Sequence, residues 1–346
     1  MEKRRLGRTD LFVTNICLGT MMWGDQRDEA EGHRELDHAA DYGINFIDTA
    51  EIYSIPPKAA TAGSTERIVG TWFKARGNRD RFILATKVAG RSDMTWLRDD
   101  GKKLRADAKN IFEAVDKSLK RLQTDYIDLY QLHWPDRRMN LFGGLDYTHY
   151  DDDAVPIAET LEAFAALVKA GKIRHIGVSN ETAWGVAQWL RAAEITGLPR
   201  IVSIQNAYNL VNRTYEGALS EFTHREEVSL LAYSPLGQGY LTGKYENGAL
   251  PDDTRKKLYD RLGRYEGIGA ARAITSYVNL ARARGIDPAA LAIRFVDTRP
   301  FVTSTIIGAT SMDQLKADIA AFDLPWDEDL EKEVRRLHLE QPNPCP

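Results

Sequence analysis

One phrase, repeated along almost the whole chain, constrains what this sequence can fold into: an apolar segment, a polar turn, then an amphipathic helix. The apolar segments read as strands at Asn45–Asp48, Phe82–Lys87, Tyr126–His133, Arg174–Ser179, Ile201–Asn206, Ser229–Ser234 and Ser304–Ile307. Asn15–Leu18 makes the eighth. Helical spacing follows at Glu29–Tyr42, Thr65–Arg76, Ala108–Leu122, Pro156–Ala170, Thr182–Thr196, Tyr215–Arg225, Ala270–Arg284 and Met312–Ala321, and Asp327–His338 reads as a terminal helix. In Ala108–Leu122 the residues Ile111, Ala114, Val115, Leu119 and Leu122 fall on one face at helical period. Eight such units without a solenoid repeat predict an α/β fold, a closed (β/α)8 or TIM barrel, rather than an open doubly wound sheet.

The turn Gly7-Arg8-Thr9-Asp10 between short alternating runs predicts an N-terminal β-hairpin that plugs one end of the barrel. At 346 residues the chain fits one domain of this class, 1–346, with 341–346 expected as a flexible tail. Four long connections, Ser54–Ser64, Ala89–Asp107, Pro135–Val155 and Pro235–Gly269, each follow a strand. Long βα loops lie on the functional face of such barrels.

A formal charge of −4 leaves no basic excess for a nucleic-acid surface, and the run Asp151-Asp152-Asp153 reads as a solvated loop. The two cysteines, Cys17 and Cys345, have neither metal-like nor CxxC spacing. The first residues lack a signal-peptide core, and no run of about 18 apolar residues marks a membrane span. A cytoplasmic setting is expected, with no membrane partner. Oligomeric state is not legible.

Chemistry collects where the strands end. Asp48, Lys87, His133, Ser179-Asn180, Gln205-Asn206, Tyr233-Ser234 and Gly308-Ala309-Thr310 close successive strands, and Gly19-Thr20-Met21 follows the first. Strand C-terminal ends of a barrel share one mouth, so these residues should form one site. A buried Lys87 needs an anion, and Asp48 on the neighbouring strand is the expected partner. Tyr53 lies in the adjoining loop. The ammonium should stabilise its phenolate, and a lowering of about three units corresponds to about 4 kcal/mol. His133 would then orient a carbonyl oxygen.

Singly, each residue has a plainer explanation: Asp48 a turn cap, Tyr53 packing, Lys87 a structural ion pair, His133 a satisfied histidine, Ser179-Asn180 a helix cap. In this order, at one mouth, the chemical reading prevails. Trp23, Trp96, Trp134 and Tyr147 follow strand ends, and a substrate wall or loop packing accounts for them equally; Trp23 and Trp134 are taken as substrate residues. No metal site is expected, because the mouth lacks paired histidines with further carboxylates.

Three stretches carry a family resemblance: Gly-Ile-Asn-Phe-Ile-Asp-Thr-Ala-Glu-Ile-Tyr, ending at Tyr53; Leu-Gln-Thr-Asp-Tyr-Ile-Asp-Leu-Tyr-Gln-Leu-His-Trp-Pro, through His133; and Gly-Lys-Ile-Arg-His-Ile-Gly-Val-Ser-Asn, ending at Asn180. From about Arg5 to Leu324 the chain resembles the aldo-keto reductases. Within them it is similar to the bacterial Tas-like branch, through Pro56-Pro57, Phe142-Gly143 and Gly308–Leu315. Asp48, Tyr53, Lys87 and His133 match the family's catalytic tetrad.

The resemblance implies NADPH-dependent reduction of aldehydes or ketones to alcohols. Tyr53 would give the proton, tuned by Lys87 and Asp48, and His133 would orient the small carbonyl substrate. It implies a nicotinamide cofactor held without a Rossmann fold, and Gly267-Ile268-Gly269 is indeed an incomplete fingerprint in a loop. Ser179, Asn180 and Gln205 would bond the carboxamide, and Tyr233 would stack on the ring. Ser234, Leu236, Gln238 and Lys244 would line the pyrophosphate. Gly308, Thr310 and Gln314 would face the adenosine phosphate at a helix start. Gly19, Thr20 and Met21 are counted with the cofactor residues, as is Asp318. Many relatives carry a cation around Ser311 or Gln314, and an Asn where this chain has Asp318. NADPH is expected on family grounds, with NADH left open. The alternative implied by channel-associated relatives is a cofactor-sensing regulatory or binding protein with little turnover.

Overall fold

The computed structural model describes residues 1–346 except Leu145, Asp152, Asp253, Arg261 and Leu262. β1 (Lys3–Arg5) and β2 (Phe12–Thr14) form the antiparallel hairpin. Eight parallel strands follow: β3 (Ile16–Gly19), β4 (Phe46–Asp48), β5 (Ile83–Val88), β6 (Ile127–Leu132), β7 (Ile173–Ser179), β8 (Ile201–Ala207), β9 (Ser229–Tyr233) and β10 (Val302–Ile307). They close in sequence order, with β10 pairing both β9 and β3, as expected for a (β/α)8 barrel.

Each strand is packed on both faces, which is why these segments are near-continuously apolar rather than alternating. Inside the barrel, Cys17, Phe46, Ile83, Ala85, Leu129 and Leu231 pack together with Leu6 and Val13 of the hairpin region. The hairpin therefore closes the end of the barrel away from the strand C-termini. Gly7 permits this close approach: its φ is +56°, and a Cβ there would stand 2.5 Å from the Val202 carbonyl oxygen.

Around the barrel run α1 (Glu29–Tyr42), α2 (Ser64–Arg76), α3 (Ala108–Leu122), α4 (Ile157–Lys169), α5 (Ala183–Thr196) and α6 (Leu219–Glu226). Their starts obey local chemistry. Asp28 and Glu31 form a capping box on α1, and Asp107 caps α3 through the Asn110 amide. α3 buries Ile111, Ala114, Val115 and Leu122, the face the spacing predicts.

The segment expected as one helix over Tyr215–Arg225 is instead a 3-10 turn at Thr214–Glu216 followed by α6. Two further helices escape the periodicity reading: α7 (Arg255–Tyr259) and α9 (Pro288–Asp297), the latter after α8 (Ala270–Ala283). α9 had a local signal, since Asp287 accepts from two amides as N-cap and Pro288 opens the helix. α10 (Met312–Ala320) and α11 (Glu328–Glu340) complete the layer.

Residues 341–346, expected to fray, lie against the barrel. Cys345 is buried and donates its amide to the Val211 carbonyl at 3.1 Å, while Asn343 Oδ1 accepts from the Arg213 amide at 2.7 Å. These long-range bonds tie down a segment whose composition looks like a free end. In the acidic run, Asp151 and Asp153 are exposed and Arg91 pairs with Asp153 at 2.6 Å; Asp152 lies outside the described residues. No helix among the described residues is long and apolar enough to cross a membrane.

Candidate functional site

The barrel register brings the polar strand ends together. Gly19 lies beside Asp48, Lys87 beside Gln131, Ser179 beside Gln205, and Ala207 beside Tyr233. Lys87 is fully buried, and its Nζ donates to Asp48 Oδ2 at 2.6 Å and to the Thr49 carbonyl at 2.9 Å. It also reaches the Tyr53 hydroxyl at 3.3 Å. The expected pairing of Asp48 and Lys87 is thus present in the geometry, with Tyr53 as the third member. His133 follows directly after β6 and meets Tyr53 edge-on, ring centroids 5.6 Å apart.

The electrostatics of Tyr53 depart from the expectation. Burial pushes its phenol above the ordinary value of 10, and the lowering by Lys87 does not overcome this, partly because the Asp48 carboxylate pushes upward too. Tyr53 is therefore held as a neutral phenol that retains its proton, suited to donation rather than to serving as a phenolate. Burial opposes charge on Lys87, but Asp48 and Tyr53 raise its pKa on balance, so the ammonium persists. His133 is depressed well below 6.5 by burial and then by Lys87, which leaves a neutral imidazole. Its Nδ1 is buried without a partner.

A cavity of about 1130 Å3 opens from this cluster. Usual small-molecule sites span roughly 300–1,000 Å3, so this one is roomy enough for a large ligand or for two. Asp48, Tyr53, His133 and Asp318 all line it. The residues ascribed to cofactor binding all line it: Gly19, Thr20 and Met21; Ser179, Asn180 and Gln205; Tyr233, Ser234, Leu236, Gln238 and Lys244; Gly308, Thr310, Gln314 and Asp318. Asn180, Ser234 and Gln238 have φ of 53°, 57° and 55°, a left-handed backbone that costs non-glycine residues energy and clusters at ligand clamps. Gln238 Oε1 is buried and unpartnered.

Several of these side chains already have internal partners. Gln205 Nε2 donates to Asp48 Oδ1 at 2.9 Å, so its amide braces the carboxylate. Ser179 Oγ donates to the Gln205 carbonyl, and Asn180 Nδ2 to the His133 carbonyl at 2.9 Å. Tyr233 donates to Asn180 Oδ1 at 2.6 Å. At the start of α10, Ser311 caps the Gln314 amide and Gln314 Oε1 accepts from Thr310. Asp318 is buried, and that burial lifts its carboxyl to about 7, helped by Asp287 and opposed by Lys244. Lys316 is exposed.

The tryptophan expectations need correction. Trp23 is 1% exposed, donates Nε1 to Glu35 Oε2 at 2.8 Å and belongs to the main core between α1 and the barrel, outside the cavity wall. Its apolar bulk is used for packing. Trp134 is also off the wall: it donates Nε1 to the Arg91 carbonyl and packs behind Tyr53 with Ala50, Ala89 and Leu97. Trp96 and Tyr147 are exposed and do not line the cavity.

Sequence reasoning missed five contributors. Gln131 Nε2 also reaches Asp48 Oδ1, at 3.3 Å, and as the penultimate residue of β6 it had a readable position. Glu51 and Arg98 form a buried two-point ion pair at 2.8 and 2.9 Å that fastens the loop after β5 beneath Tyr53. Arg255 and Arg264, from the loop after β9, line the cavity and form no ion pair with a described residue. Among the described residues no group of His, Cys, Asp or Glu is arranged to hold a metal ion.

Comparison with known proteins places the chain in a family. The model of the Aldo/keto reductase family matches residues 15–338. The chain is 48% identical to the Escherichia coli protein named Protein tas over 100% of both chains. It is 40% identical to an aldo-keto reductase of Babesia bovis, over 76% of this chain and 98% of that one. Aldo-keto reductase YhdN of Bacillus subtilis is 34% identical, over 92% of this chain and 87% of its own. An eight-stranded barrel with these strand-end residues and these relatives leads to one conclusion: the chain belongs to the aldo/keto reductase family and is an NAD(P)H-dependent oxidoreductase acting on small carbonyl compounds.

Proposed function

We propose that this protein reduces aldehydes or ketones to alcohols with NADPH, and that Tyr53, Lys87, Asp48 and His133 carry the chemistry. The supporting observation is the bonded series Asp48, Lys87, Tyr53, in which buried Lys87 joins two residues of the cavity wall that His133 also lines. When bound, the cofactor supplies a hydride to the carbonyl carbon. Tyr53 donates its phenolic proton to the carbonyl oxygen, so one hydride on carbon and one proton on oxygen complete the alcohol, and Tyr53 recovers a proton from solvent. The raised phenol pKa suits this direction, because the proton is present at neutral pH. Lys87 stabilises the phenolate left behind, and Asp48 keeps Lys87 charged and in place. Neutral His133 orients the carbonyl.

The cavity suits a dinucleotide. Tyr233 and Asn180 lie toward the reacting end, the strained Ser234–Gln238 turn forms a cradle with an unpartnered buried oxygen, and Lys244 and Arg255 supply cations for phosphate. Lys244 lies within the field of both Arg255 and Asp318. Asp318 would repel a 2′-phosphate if fully ionised; with a pKa near 7 it is substantially neutral below that pH, which removes most of the objection to NADPH. We take the chain as a single barrel domain working in the cytoplasm, in keeping with two free, buried cysteines.

Tyr53→Phe tests the assignment. NADPH binding, followed by its fluorescence, should persist, while turnover of simple aldehydes should fall on the order of 10²- to 10⁴-fold. Substantial remaining activity would remove Tyr53 from its role. Tight cofactor binding by the unaltered protein without any turnover would favour the cofactor-sensing alternative.

A further inference from the structure

We propose that Arg264 selects carbonyl substrates bearing a carboxylate, binding that anion within the cavity that Tyr53 and His133 line. The assignment rests on the reading of this cavity as a carbonyl-reducing site. It begins from an imbalance of charge. Lys87 is neutralised by Asp48, and Lys244 stands among the residues ascribed to the cofactor phosphates. Arg255 lies near Lys244 and against the Met21 sulfur at 3.6 Å, among residues ascribed to the cofactor. Arg264 has no such occupation.

Arg264 is half-buried, lines the cavity, and makes no ion pair with a described residue. Its polar neighbours are the neutral phenols of Tyr233 and Tyr265, and its Nε is buried with no partner. A part-buried guanidinium without an anion is costly. The plain alternative is a clasp between loops, since the guanidinium stands 5.8 Å from the Phe142 ring centroid. An exposed cation–π contact contributes only about 0.5–1 kcal/mol, too little to offset that desolvation. Among the described residues, an acceptor with negative charge is the missing component.

Its place separates this anion from the cofactor phosphates. Tyr233, beside Arg264, donates to Asn180 Oδ1, and Asn180 donates to the His133 carbonyl. Arg264 is thus linked through two residues to His133, and Phe142 beside it comes from the loop that follows His133. The nicotinamide ring brings no anion to this end. A carboxylate on the substrate does, and the planar guanidinium fork matches it in two-point geometry.

The test compares 4-formylbenzoate with its methyl ester, which keeps the aldehyde and shape but loses the charge. The unaltered protein should favour the acid in kcat/KM, and Arg264→Gln should lower the acid-to-ester ratio on the order of 10- to 100-fold, chiefly through KM of the acid. Arg264→Lys should restore part of the ratio. Equal kcat/KM for both compounds in the unaltered protein, or an equal loss for both in Arg264→Gln, would overturn the assignment. A loss of NADPH affinity in Arg264→Gln that accounts for the whole effect would overturn it too. If neither aldehyde turns over, the carbonyl-reducing reading fails on its own account. Tryptophan fluorescence titration of the cofactor-loaded protein then decides: tighter binding of the acid that Arg264→Gln abolishes upholds the anion site, and equal binding of acid and ester removes it.

Discussion

Gln205 Nε2 donates a 2.9 Å hydrogen bond to Oδ1 of Asp48, the carboxylate whose other oxygen holds Lys87 at 2.6 Å. Both oxygens of Asp48 are therefore engaged by donors from β8 and β5, which suits an organising role better than a role as acid. Lys87→Met leaves this carboxylate buried without its cation and should cost about 3–5 kcal/mol in chemical denaturation, with turnover lost. Adding Asp48→Asn should recover much of the stability and none of the turnover. Full activity in either variant would contradict the proposed series.

The Glu51–Arg98 pair makes a different prediction. Both side chains are at most 2% exposed, and Glu51 Oε1 also accepts the Ala89 amide at 2.8 Å. Arg98→Met should destabilise the fold by about 3–5 kcal/mol in urea titration and loosen the loop that packs beneath Tyr53. Hydrogen exchange should rise first over residues 89–107. Unchanged exchange there would show that the loop is held by its apolar contacts alone.

Asp318 gives a pH dependence. Its folded-state pKa of about 7 lies above the ordinary 3.8, so the folded protein holds the extra proton between those values. Its contribution to stability is complete below pH 3.8 and is lost as pH rises through about 7. Asp318→Asn should therefore be the more stable protein at about pH 8, by up to about 4 kcal/mol, and nearly equal to the unaltered one at about pH 4. NADPH affinity of the unaltered protein should weaken across the same rise as Asp318 gains charge, and the variant should lack that step. Parallel titrations in both proteins would assign the step to another group.

Much of this was legible in the chain. The alternation of apolar segments and helices is a local property, and each buried strand announces itself by its own residues, so the barrel and its polar rim follow directly. Asp48 and Lys87 were readable as partners because adjacent strands bring their ends together. What was not legible depends on distance or on burial. Arg98 meets Glu51 across 47 residues, inside a loop without periodicity. The direction of the Tyr53 shift turns on desolvation outweighing a neighbouring charge, and the sequence shows the charge alone. Trp23 follows a strand end as a pocket residue would, but Glu35 on α1 draws it outward into the core. Arg264 sits in a loop of mixed composition, and only the folded chain shows that no described residue forms an ion pair with it.

The hairpin has a consequence for the order of events. With Leu6 and Val13 filling the barrel's far end, the cavity has no back exit. A dinucleotide and a carbonyl compound would then share the mouth at the strand C-terminal ends. If the proposed cofactor lies the deeper, it should arrive first and depart last, a queue that product-inhibition kinetics would read.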